Sequence, residues 1–132
     1  MKVRTFTPVD VMTPIGPYSH VARAGPFIMI SATAGVDPRT GQLAGPDVAA
    51  QTRQIVTSFH SMLEGVGSSL SQVMHVTVFL RNIEDFEEMN RAYAEAFGDH
   101  RPARTVIGVS ALPKPGALLT MNLTAVMESA TG

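Results

Sequence analysis

Arg104 is the residue of this chain whose type and setting point most directly to chemistry. It stands in "HRPARTVIGVSALP", two residues after Pro102, which stops any preceding helix. The apolar run that follows draws the base of the side chain into a protected place. A half-buried guanidinium requires an anion, and its fixed fork of donors matches a carboxylate bidentately, which lysine does less well. Spacing leaves two kinds of partner open: an internal acid such as Glu95 or Asp99, or a carboxylate that arrives from outside.

Other chemistries are missing their residues. The histidines, His20, His60, His75 and His100, are scattered with no His-x-x-x-His or Glu-x-x-His spacing, so no metal site is expected. His60 in a helical stretch and His75 in a strand read as structural histidines. There is no Gly-x-Ser-x-Gly elbow, no phosphate-binding glycine loop and no dinucleotide fingerprint, and none of the usual cofactors is implied. Absence of cysteine removes disulfides, thiol catalysis and thiolate metal sites. Ten basic residues nearly balance eleven acidic ones without a basic run, which argues against a nucleic-acid partner. The amino end, Met1-Lys2-Val3-Arg4-Thr5, has no apolar leader core, and no apolar stretch is long enough to cross a bilayer, so a cytoplasmic protein without membrane contact is the expectation.

The elements that must position Arg104 follow from periodicity. With 132 residues, of which 45% are hydrophobic, the chain suits one domain spanning 1–132. "YSHVARA" and "PFIMIS" are β-prone runs punctuated by Gly25-Pro26, and "VDPRTGQL" has turn chemistry. From Asp47, a candidate N-cap, Val48, Ile55, Val56, Phe59, Met62, Leu63 and Val66 recur at helical steps until Gly65 and Gly67. "VMHVTVFL" (73–80) reads as a central strand buried on both faces. Asn82 and Asp85 announce a second helix carrying Phe86, Met89, Tyr93 and Phe97, ending at Gly98. Residues 104–110 and 118–127 supply two last strands around "LPKPG", and residues 2–6 a weak first one. The order β, β, β, α, β, α, β, β predicts an α+β sandwich: about six strands in a mixed sheet, two helices on one face. The uncovered face predicts a homo-oligomer packed sheet to sheet.

Four segments in order, "IGPYSHV" (15–21), "ISATAGVDPRTGQL" (30–43), "VTVFL" with "NIEDFEEMN" (76–90) and "RPARTVIGVSALP" (101–113), resemble the RidA/YjgF reactive intermediate deaminase family. The resemblance runs from about Ile15 to Val126. It implies a chorismate-mutase-like fold, a homotrimer, clefts between subunits, and hydrolysis of enamine/imine intermediates such as 2-aminoacrylate and 2-iminopropanoate to 2-oxoacid and ammonia. Arg104 falls on the family's carboxylate-binding arginine, with the backbone N–H of Val106 assisting. Tyr18 falls on the cleft tyrosine, Ser31 and Ala32 on the "SG" of the usual "SGQ", and Asn90 on the cleft asparagine.

Two positions depart from the family. Aligned back from Ala125-Val126, Asn122 takes the place of a last-strand glutamate that handles the attacking water; an amide orients water but does not accept its proton. Ala32 adds a methyl beside the substrate path. The expected function is therefore a 2-iminobutanoate/2-iminopropanoate deaminase with Arg104, Tyr18 and Asn122 as the catalytic set. The alternatives are a non-catalytic or weakly catalytic trimer that binds a small 2-oxoacid, and a deaminase of another enamine such as 2-aminomuconate, with Arg101 supplying a second positive charge. Endoribonuclease activity, also attached to the family, is disfavoured by the near-neutral charge.

Overall fold

The short β-prone runs at the amino end pair with one another first. In the computed structural model, which describes residues 1–8 and 10–128, β1 (Val3–Phe6) runs antiparallel to β2 (Val21–Ala24), and β2 to β3 (Phe27–Ala34). Gly25 turns the β2–β3 corner with φ of 58°, in the left-handed region where a Cβ would be strained. The Asp37-Pro38 turn proves to be the tip of a small ribbon, β4 (Val36–Asp37) with β5 (Gln42–Leu43), closed by Gly41 N–H donating to the Asp37 carbonyl at 2.8 Å. Strands this short carry no readable alternation, so only the turn was visible in sequence.

The first helix, α1 (Val48–Gly65), starts as its residues foretell: the Asp47 carboxylate accepts from Ala50 N–H at 2.7 Å. Its buried stripe includes Ile55, Val56, Phe59, Met62 and Leu63. Phe59 is fully buried, a contribution of about 1.5–3 kcal/mol for such a side chain. After β6 (Val73–Leu80), Asn82 accepts from Glu84 N–H at 3.0 Å and caps a single 3-10 turn, Ile83–Asp85. The second helix, α2 (Phe86–Phe97), therefore begins four residues beyond the asparagine. The last strands are β7 (Ala103–Gly108) and β8 (Leu119–Val126).

The six long strands form one sheet in the order β1-β2-β3-β8-β6-β7, every neighbouring pair antiparallel except β6 with β7. Chain order and sheet order differ because β8 inserts between β3 and β6. One face carries Ile28, Ile30, Val76, Val78, Leu80, Leu119, Met121 and Leu123, which share a core with Ile55, Phe59 and Met62 of α1 and Met89, Tyr93 and Phe97 of α2. The mixed six-stranded sheet and its two helices thus match the expected layers. On the other face, Phe27, Met29 and Ile107 are 46%, 60% and 43% exposed, an apolar surface that no element among the described residues covers. No helix among the described residues is long and apolar enough to cross a membrane, and they contain no His/Cys/Asp/Glu group suited to a metal.

Candidate active site

A bulge in β3 builds the first part of the site. Ile30 pairs with Leu123 and Thr33 with Met121, so Ser31 and Ala32 together oppose the single residue Asn122. The extra residue bends the strand end and re-aims its side chains. Ser31 and Ala32 then line a hollow of about 270 Å³ with Tyr18, Thr120 and Lys114. Tyr18 is held from two sides: its ring meets His20 edge-on at 5.8 Å, and its oxygen accepts a bond from Ile15 N–H at 3.4 Å. That arrangement leaves the phenolic proton to be donated into the hollow. His20 is itself buried and tied through Nε2 to the Met12 carbonyl. The Ser31 hydroxyl is buried without a partner among the described residues.

Behind the hollow, Gln51 on α1 pins the chain that closes it. Its amide donates to the Gly45 carbonyl and its carbonyl accepts from Leu118 N–H, both at 2.9 Å. Gly35 lies so near that a Cβ there would stand 2.6 Å from the Gln51 carbonyl oxygen. Only glycine permits this approach of β3's end to the helix backbone.

Arg104 lies elsewhere. It lines a second hollow, of about 340 Å³, with Asn90, Tyr93, Ala94, Arg101 and Pro102. Neither acid that spacing left open reaches it: among the described residues the one ion pair is Arg39 with Asp37, in the β4–β5 turn. There the Arg39 hydrogen bonds hold the Asp37 carboxyl below its ordinary range. The Arg104 guanidinium instead sits over aromatic rings of α2, 4.8 Å from the centre of Tyr93 and 5.8 Å from Phe86. Burial pushes the Tyr93 phenol up to about 12, against the opposing pull of Arg104 and Arg101. Arg101 is occupied by backbone, donating to the Gly98 and His100 carbonyls. Val106 follows two residues along β7, an edge strand whose outer backbone groups are open to a ligand or another chain.

Register separates the two hollows. Arg104 pairs with Val76 and faces the helices, whereas Thr120 pairs with Phe79 and Ala34 and faces the open side. Of the residues singled out in sequence, Tyr18, Ser31 and Ala32 converge in one hollow and Arg104 with Asn90 in the other. Asn122 lines neither; it sits across from the bulge, and Thr120, two residues earlier on the same face of β8, reaches the hollow. Sequence reasoning missed Thr120, Lys114 and His20. A lone buried histidine carries no local signal, and what the strand threonine faces depends on the pairing register of β8.

The pattern of the Endoribonuclease L-PSP family matches residues 9–127. A RutC family protein of Pyrococcus horikoshii is 46% identical over 114 residues, 86% of this chain and 90% of that protein. The 2-iminobutanoate/2-iminopropanoate deaminase of Bos taurus is 38% identical over 102 residues, covering 77% of this chain and 74% of that one. The crystal structure of the YjgF gene product from E. coli is similar with a TM-score of 0.88 at 30% identity, over 95% of this chain and 99% of that one.

Proposed function

This chain belongs to the endoribonuclease L-PSP family, the RidA/YjgF group, and on that premise we propose that it hydrolyses reactive 2-imino acids of the 2-iminobutanoate/2-iminopropanoate class to 2-oxoacid and ammonia. The observation that carries the reading is Arg104: a half-buried guanidinium with no acid partner among the described residues, in a hollow with Asn90. A fork of donors left open in that way suits the substrate carboxylate, fixing the C=N carbon next to it.

The complete site takes its two parts from two copies of the chain. The anion hollow and the hydroxyl-lined hollow face opposite sides of one sheet, so no small molecule touches both within a protomer. The exposed apolar face and the open edge of β7 supply the surface on which copies assemble, as a homotrimer with clefts between subunits. In the joined cleft Arg104, with the Val106 backbone N–H, holds the carboxylate. Tyr18 and Thr120 place their hydroxyls at the imine and the water, and Asn122 supports the Ser31–Ala32 bulge from across the strand. Water adds to the carbon of the protonated imine, one of its protons passes to the nitrogen, and the C–N bond then breaks as the remaining hydroxyl proton goes to the departing ammonia, leaving a carbonyl and ammonium.

Among the described residues, neither hollow is lined by a carboxylate. Proton transfer is then left to water and the substrate, while positioning supplies the rate; an already electrophilic C=N tolerates this. The same observation favours one second reading, a trimer that binds 2-oxoacids without turning over their imines. The test is to generate 2-aminoacrylate or 2-iminobutanoate in place with a dehydratase or an amino-acid oxidase and follow imine loss. Acceleration that disappears in Arg104→Ala supports the hydrolase; no acceleration with saturable binding of 2-oxobutanoate supports the binding reading.

A further inference from the structure

An unneutralised arginine side chain at the edge of a protein normally extends into water, where its charge is solvated and its rotamers are free. Arg104 does not. It is half-buried and lies over two rings that project two turns apart from one α2 face, Tyr93 and Phe86. Aromatic faces attract a cation through the ring quadrupole, and unlike a carboxylate they neither cancel its charge nor occupy its N–H donors. The helix thus offers the guanidinium a seat that leaves its fork available.

We propose that Tyr93 and Phe86 form an aromatic clamp that positions the Arg104 guanidinium for a visiting carboxylate, acting through their rings and not through the Tyr93 hydroxyl. The substrate's identity here rests on the deaminase reading; the clamp itself does not. Two features of Tyr93 support a role for the ring alone. Its hydroxyl is buried and has no hydrogen-bond partner among the described residues, so it holds none of them in place. With its phenol kept neutral at physiological pH by burial, it is no anion there that would capture Arg104 for itself. An aspartate or glutamate at this place would do that and fill the site from within. Asn90, one turn before on the same helix, adds a neutral polar group to the hollow with the same consequence.

The experiment compares Tyr93→Phe, Tyr93→Leu and Phe86→Leu in the full chain. Phe86 is 36% exposed, so its replacement tests the clamp with little demand on folding. Two readouts are taken: ¹⁵N relaxation and proton exchange at the Arg104 Nε–H, which report guanidinium order, and KM against kcat for the oxidase-generated imine. Tyr93→Phe is expected to keep both within about twofold. Tyr93→Leu is expected to loosen the guanidinium and raise KM by about 3- to 30-fold with a smaller change in kcat, and Phe86→Leu to do the same more weakly. A Tyr93→Phe loss equal to that of Tyr93→Leu overturns the clamp, because the hydroxyl would then be responsible. An equally ordered guanidinium in folded Tyr93→Leu and Phe86→Leu overturns it too. If the wild-type protein turns over no imine, the deaminase reading falls, while guanidinium order still decides the clamp.

Discussion

Arg104 and Thr120 stand on opposite faces of one sheet, Arg104 beside Val76 on the helix side and Thr120 beside Phe79 on the open side. A site that uses both must join two protomers, which makes it testable by mixing. Arg104→Ala and Tyr18→Phe/Thr120→Val chains, each expected to be strongly impaired alone, are expected to regain activity when unfolded and refolded together. A random equal mixture leaves about a quarter of its interfaces with both halves intact, so recovery to about a quarter of wild-type turnover is expected. Recovery no greater than the sum of the separate variants would place the whole site in one chain.

The geometry of the Arg104 fork predicts that charge alone will not serve. Arg104→Lys keeps a cation over the Tyr93 ring but offers a single ammonium where two parallel donors meet a carboxylate. Hydrogen bonds to charged groups are worth about 1.5–3 kcal/mol. Arg104→Ala is therefore expected to lower kcat/KM by about 10- to 150-fold, and Arg104→Lys to recover only part of it. Steady-state kinetics on 2-iminobutanoate measures both.

Much of this fold was legible because its strongest elements are locally unambiguous. The β-branched run 73–80 became β6 with those bounds, and Asp47 caps α1 as its position before the apolar stripe suggests. The site was legible in part. Residue type and the Pro102 boundary singled out Arg104, but whether it met Glu95, Asp99 or nothing depended on how β7 lies over α2, which no spacing encodes. The Thr120 and Asn122 positions turned on one bulged residue in β3, and a strand's own alternation does not show where its partner slips register. The ring beneath Arg104 looked like an ordinary core aromatic of the helix stripe, which it also is.

Gly35 marks where β3 presses on α1, and its replacement should cost stability more than its size suggests. A Cβ would lie 2.6 Å from the Gln51 carbonyl oxygen and 2.8 Å from its Cα, both backbone atoms that cannot rotate away. Gln51 in turn holds Leu118 N–H at the entry to β8. Gly35→Ala is expected to destabilise by about 1–3 kcal/mol, read as a lowered denaturation midpoint with an unchanged m-value. Its effect should extend to activity, since displacement of Gln51 loosens the chain beside Thr120; hydrogen exchange at Leu118 N–H is the local probe.

Tyr93 predicts a limit to stability at alkaline pH. Its phenol titrates at about 12 in the folded chain against an ordinary 10.0, chiefly because burial disfavours the phenolate. A raised acid pKa means that the folded state keeps its proton over an interval in which the unfolded state has lost it. Stability from this residue is thus fully present below pH 10, and declines as pH rises from there through about 12, by up to about 1.4 kcal/mol per pH unit. Tyr93→Phe removes the titrating group, so the difference between wild-type and variant unfolding free energies should steepen above pH 10 in the variant's favour. At neutral pH the variant should be at least as stable, because the hydroxyl it deletes is buried and unpaired. Denaturant unfolding of the two proteins across that interval, with ultraviolet difference titration to follow the phenolate, measures the effect. A parallel pH dependence in both would mean that the Tyr93 hydroxyl reaches water in the folded protein.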